Sequence, residues 1–227
     1  NAGQTCVAPD YVLLPEDQLE LFIEGFMASV KRRYPDLTTD SDYTGIINER
    51  QFSRLSSWLT EAQNAGVRTV AYPVTKSSNT ELRLIPPTLL INPSSDLTVM
   101  QQEIFGPLMP IITYSSLDQA INFVLSRDKP LAFYMFDNLS ARVDAVLGRI
   151  CAGSVCINDV IIQFGQHDLP IGGVGASGMG HYHGKDGFLT FSKAMPVMYQ
   201  SRLNGMKLFD APYGKIINKM VDFLTKP

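Results

Sequence analysis

The chain has 227 residues and 25.1 kDa, with 45% hydrophobic and 18% charged residues, a globular composition that excludes disordered, collagen-like and coiled-coil classes. The net charge is −3, the longest cationic run is only Lys31-Arg32-Arg33, and no apolar stretch approaches the roughly 18 residues of a membrane span, so neither nucleic-acid binding nor a membrane anchor is expected. Three cysteines (Cys6, Cys151 and Cys156) are odd in number and sparse, which points to a reducing cytoplasm rather than a disulfide scaffold.

The opening Asn1-Ala2-Gly3-Gln4 has neither the charged nor the apolar region of a signal peptide. No Met begins the chain, so it reads as part of a longer protein, with Asn1-Ala2 either native or vector-derived. Leu19, Phe22, Ile23, Phe26, Met27 and Val30 recur at helical spacing, with Lys31-Arg32-Arg33 suiting the negative end of the dipole and Pro35 stopping the run. The polar segment that follows, residues 36–43, reads as a loop. A second helix is expected from Asn48, paired with Gln51 in a capping-box arrangement; it would bury Phe52, Leu55, Leu59 and Ala62 and close at Gly66.

Residues 67–72 read as a strand, 77–80 as a turn, and 82–85 and 88–91 as strands interrupted by Pro86-Pro87. Residues 108–114 form another β-rich run, and Ser116 with Gln119 caps a helix using Leu117, Ala120, Ile121, Val124 and Leu125. Residues 131–136 are a strand. Asn138 is expected to cap a helix of Val143, Val146, Leu147 and Ile150 that ends at Gly153, before a strand at 154–158. Strand and helix alternate, and the strands are almost wholly apolar. The expected fold is therefore α/β, an open and mostly parallel sheet with helices on both faces.

Six of the residues 165–180 are glycine, so this stretch reads as loop. Gly173-Val174-Gly175-Ala176-Ser177-Gly178 fits G-x-G-x-x-G literally, but Leu169-Pro170 precedes it and little chain follows, so a glycine-rich connection is the better reading than a dinucleotide fingerprint. The tail opens on a strand-like run at 196–199 and ends in an amphipathic stretch carrying Ile216, Ile217, Met220, Val221 and Leu224.

Cys6 is the candidate nucleophile. A helix opening near it, with Pro9 in its first turn, would favour a thiolate and offer N–H groups to an oxyanion; the alternative is a structural cysteine. His181 and His183 lack partner cysteines, and Cys151 and Cys156 fit no common zinc spacing, so no metal is expected. Cys156 alternates with Val155 and Ile157 as a packing residue.

Four stretches in order resemble the aldehyde dehydrogenase superfamily: Asn1-Ala2-Gly3-Gln4-Thr5-Cys6, Glu103-Ile104-Phe105-Gly106-Pro107, Gly153-Ser154-Val155-Cys156-Ile157-Asn158-Asp159-Val160, and the glycine-rich run from Leu169 to Gly180. The forms Cys6-Val7-Ala8-Pro9-Asp10-Tyr11 and His181-Tyr182-His183-Gly184-Lys185 are similar to the shorter, dimeric branch that includes coniferyl aldehyde dehydrogenases. The resemblance implies oxidation of an aldehyde, aromatic ones such as coniferyl aldehyde included, to an acid through a Cys6 thiohemiacetal and thioester. It implies that Glu103 holds the ribose of NAD or NADP, that Phe105 packs near the nicotinamide, and that Asn158 lines the substrate entry. Without the resemblance, Glu103 is a surface carboxylate, Phe105 plain core and Asn158 a strand terminator.

The same resemblance implies a catalytic domain at residues 1–195 and a strand and tail at 196–227 for subunit or interdomain contact, in a cytoplasmic homodimer. The dinucleotide-binding domain, the glutamate that activates water and the asparagine of the oxyanion hole would lie upstream, so this chain alone is expected to have a reactive thiol but little turnover. The alternatives are a cysteine hydrolase using His167, His181 or His183, an acyl-transferring reductase, and a non-catalytic module.

Overall fold

The computed structural model describes residues 1–37, 42–73 and 82–226, in two compact units, Asn1–Phe191 and Ser192–Pro227. The turn expected at residues 77–80, and part of the loop at 36–43, lie outside the described residues.

The first unit holds strands β1 (Val12–Pro15), β2 (Arg68–Ala71), β3 (Thr88–Ile91), β4 (Leu108–Tyr114), β5 (Ala132–Met135) and β6 (Ser154–Ile157). Its helices are α1 (Leu19–Arg33), α2 (Glu49–Asn64), α3 (Thr98–Gln101), α4 (Leu117–Leu125), α5 (Ser140–Leu147) and α6 (Gly184–Thr190). A four-stranded sheet runs β1-β4-β3-β2, parallel at β1–β4 and β3–β4 and antiparallel at β2–β3. A separate parallel pair joins β5 and β6.

All four residues of β3 are buried because both faces of its sheet are covered. Leu89 and Ile91 point, with Ile111, toward Ile23 and Phe26 of α1. Leu90 and Leu108 point the other way, toward Leu55, Trp58 and Ala62 of α2. The α/β class, the mostly parallel pairing and the two-sided cover are as the pattern predicts. The single sheet is not: β4 and β5 lie in different sheets, so only β5-α5-β6 completes a parallel crossover within residues 108–158.

Local chemistry sets most of the ends. Asn48 caps α2 through Gln51 N–H, Ser116 caps α4 through Gln119 N–H, and the basic triplet closes α1. Within residues 82–153, three further expectations need correction. Residues 82–85 form no strand: Arg83 turns at φ 48° and Pro86-Pro87 cannot donate to a ladder, although Leu84 and Ile85 are still buried. Asn138 does not cap α5; the Asp137 carboxylate accepts the Leu139 N–H at 2.8 Å instead. The helix ends at Leu147 rather than at Gly153, which is needed for another reason: a β-carbon there would stand 2.2 Å from the Gly172 carbonyl oxygen.

In the second unit, α7 (Lys215–Thr225) forms on the amphipathic stretch, whereas residues 196–199 are exposed and form no strand. Among the described residues no helix is long and apolar enough to cross a membrane.

Candidate functional site

Cys6 is exposed on a tight turn rather than at the start of a helix, so a helix dipole plays no part there. Ala2 and Gly3, at φ 51° and 73°, reverse the chain; Thr5 N–H donates to Gly3 and Ala8 N–H to Thr5. Gln4 ties the turn to the core side, donating to the Gly45 carbonyl at 3.2 Å and accepting Ile47 N–H at 3.0 Å. The next residue, Val7, is 2% exposed, and its carbonyl accepts the Tyr134 hydroxyl at 2.6 Å. Among the described residues, the N–H groups of Cys6 and Val7 donate to nothing. The turn therefore carries the exposed Cys6 beside two main-chain N–H groups without a partner among the described residues, the second on the buried Val7.

The second part of the site is the loop 102–107 between α3 and β4. The Asp10 carboxylate accepts Ile104 N–H at 2.9 Å. Arg54, on α2, donates to the carbonyls of Glu103 at 3.3 Å and Ile104 at 2.6 Å, while its guanidinium lies 4.2 Å from the centre of the Trp58 ring. Burial pushes the Asp10 carboxyl up and the Arg54 guanidinium down from their ordinary values, and each opposes the shift in the other through opposite charge. With its backbone held, the loop turns outward both the Glu103 side chain and the Phe105 ring, which is 41% exposed at φ 49°. Phe105 is therefore not plain core.

The two parts abut. A β-carbon on Gly3 would lie 2.4 Å from the Gly106 carbonyl oxygen, so the sequence must be glycine where the cysteine turn meets the Glu103 loop. Asn158 stands at the end of β6 at φ 62°, with its side chain engaged: it donates to the Asp137 carbonyl at 3.0 Å and accepts the Asp137 N–H at 2.8 Å. It braces the loop after β5. The glycine-rich run makes a short turn at Gly175–Ser177, with no regular strand directly before it.

His181 pairs with Asp186 at 3.2 Å, and His183 packs among Phe164, His167 and Tyr182. Among the described residues no hydrogen bond joins Cys6 to a histidine, and no group of three His, Cys, Asp or Glu side chains is placed to hold a metal. Cys156 is buried on β6, and Cys151 is exposed. The sequence does not single out Asp10, Arg54, Tyr134 or Gln163 for the site: the first three act on main-chain atoms far away in the chain, and Gln163 acts on the Tyr134 and Ser154 hydroxyls.

The sequence profile of the aldehyde dehydrogenase family matches residues 1–197. A probable coniferyl aldehyde dehydrogenase of Pseudomonas aeruginosa is 47% identical over 221 residues, which is 97% of this chain and 46% of that protein. The coniferyl aldehyde dehydrogenase of a Pseudomonas species is 45% identical over 227 residues, 99% of this chain and 47% of that protein. The substrate-bound structure of AldH from Staphylococcus aureus superposes with a TM-score of 0.78 at 37% identity, covering 98% of this chain and 48% of that one. The chain thus spans about half the length of the relatives it matches.

Proposed function

Because this chain belongs to the aldehyde dehydrogenase family, we propose that it forms the thiol-bearing catalytic portion of an NAD(P)-dependent enzyme that oxidises an aldehyde to a carboxylic acid. The observation that carries this reading is the exposed Cys6, with main-chain N–H groups beside it that have no partner among the described residues, on a turn packed against the Glu103 loop.

The Cys6 thiolate attacks the aldehyde carbon, and the open N–H groups stabilise the oxyanion that forms there. A nicotinamide dinucleotide, when bound, supplies the hydride acceptor that allows the adduct to become a thioester. Water then releases the acid and returns the thiolate. Glu103 and Phe105 suit such a group: an outward carboxylate can accept hydrogen bonds from a ribose diol, and an outward ring can cover a nicotinamide. Asn158 shapes the substrate entry through the loop that it braces.

Similarity to the two coniferyl aldehyde dehydrogenases supports an aromatic aldehyde as substrate. Three free thiols suit a reducing cytoplasm. Residues 1–195 serve catalysis, and the extension at 196–227 makes subunit or interdomain contacts in a homodimer, with exposed Ile216 and Phe223 on α7 available for them.

The test is Cys6→Ala in the complete natural protein. Aldehyde oxidation should vanish while dinucleotide binding, followed by fluorescence titration, stays intact. Retained oxidation would falsify the assignment.

A further inference from the structure

Tyr134 lies on β5, more than a hundred residues from the cysteine turn in sequence, yet its hydroxyl donates to the Val7 carbonyl at 2.6 Å. Having given its proton there, that hydroxyl can only accept from a further neighbour. The neighbour is Gln163, whose amide nitrogen stands 3.1 Å from the Tyr134 oxygen and 3.4 Å from the Ser154 hydroxyl. Gln163 is 4% exposed, and its side-chain carbonyl oxygen is buried with no partner among the described residues. A buried amide with an unpaired oxygen costs stability, and packing alone would favour an apolar side chain there. Its direction is set by the Tyr134 oxygen, which needs a donor.

We propose that Tyr134 and Gln163 are positioning residues for the Cys6 nucleophile. The relay Gln163 to Tyr134 to Val7 fixes the Val7–Ala8 peptide, one peptide beyond Cys6, and through the short turn the aim of the sulfur and of the Cys6 and Val7 N–H groups. The relay also ties that aim to the β5–β6 pair, whose strand ends carry the Asp137–Asn158 brace at the substrate entry. This inference rests on the reading of Cys6 as the nucleophile.

The experiment uses the complete natural protein and its Cys6→Ala, Tyr134→Phe and Gln163→Leu forms, together with the double variant of the last two. Four quantities are read: kcat, the KM for dinucleotide, the thermal midpoint, and the pH profile of iodoacetamide alkylation at Cys6, resolved from Cys151 by mass. Tyr134→Phe keeps the ring. It is expected to lower kcat about ten- to hundredfold through misplacement of the reacting group. It should also move the alkylation profile while leaving the KM for dinucleotide within about twofold. Gln163→Leu is expected to act in the same direction, and the double variant to be no worse than Tyr134→Phe, because Gln163 works through that hydroxyl.

A folded Tyr134→Phe form with full kcat and an unmoved profile overturns the proposal, as do additive effects in the double variant. If Tyr134→Phe does not fold, Gln163→Leu with an unchanged kcat overturns it. Cys6→Ala that still oxidises aldehyde sinks the reading of Cys6 itself. Cys6→Ala that is inactive beside a fully active Tyr134→Phe sinks the relay alone.

Discussion

Gly3 and Gly106 approach so closely that the first additional carbon on Gly3 would stand 2.4 Å from the Gly106 carbonyl oxygen. Gly3 also sits at φ 73°, where an L side chain is strained by about 1–2 kcal/mol. Gly3→Ala therefore meets two costs, and the overpacking part adds roughly 1–3 kcal/mol because the clashing atom is backbone. The variant should unfold at lower urea, and its Cys6 should alkylate at a changed rate as the turn lifts from the Glu103 loop. An unchanged midpoint and alkylation rate would show that the two loops are not in register as described.

Arg54 holds the carbonyls of Glu103 and Ile104 while lying over Trp58. Hydrogen bonds to a charged group contribute about 1.5–3 kcal/mol each, less for this partly exposed side chain. Arg54→Met keeps an aliphatic stem on Trp58 but frees the loop. In the complete protein its main effect should be a KM for dinucleotide raised about tenfold, with Cys6 alkylation unaltered. Arg54→Lys should recover only part of this, since an ammonium lacks the planar fork that spans two carbonyls. Steady-state kinetics at varied dinucleotide decide the matter.

Leu55 supports the same loop from beneath. It is fully buried, and a β-carbon on Gly106 would come within 2.5 Å of one of its methyl groups. Leu55→Ala should cost about 2–5 kcal/mol, mostly as lost burial and a cavity. Gly106→Ala should destabilise the native background by crowding that methyl. In the Leu55→Ala background, where the space is vacant, it should cost clearly less. Urea denaturation of the four proteins gives the coupling; simple additivity would mean that the two sites do not touch.

The sequence made the two-sided sheet legible because a fully buried strand and an amphipathic helix leave different periodic marks, as Thr88–Ile91 and Glu49–Asn64 do. It placed the helix starts at Asn48 and Ser116 because a side-chain cap is a local event. It misjudged residues 82–85, where apolar side chains enter the core from an irregular segment, and it could not tell that β4 and β5 part into separate sheets, since pairing leaves no local mark. Family motifs pointed to Cys6, Glu103 and Phe105 as candidates, and the structure brings their loops together at Gly3 and Gly106. The braces were not legible: Asp10, Arg54 and Tyr134 each bond to a main-chain group 94, 49 or 127 positions away, and any sequence would supply such a group.

At the far end of the β5–β6 pair, the Asp137 carboxyl is held down at about 2, first by the Arg142 guanidinium and then by the Leu139 N–H. A carboxyl lowered on folding favours the native state above its unfolded value near 3.8, and that contribution is lost as the pH falls toward 2. Arg142→Gln removes the main cause, so the Asp137 carboxyl should rise toward the ordinary range, measurable by NMR titration. The native protein and the variant should then differ in thermal midpoint above about pH 4 and converge as the pH approaches about 2. Because Asp137 is gripped on its main chain by Asn158, loosening it should also free the residues after β5. Faster hydrogen exchange at Asp137 and Leu139 in the variant, without a change at β3, would show that the brace is local. Exchange that rises equally in β3 would show that Arg142 stabilises the whole unit instead.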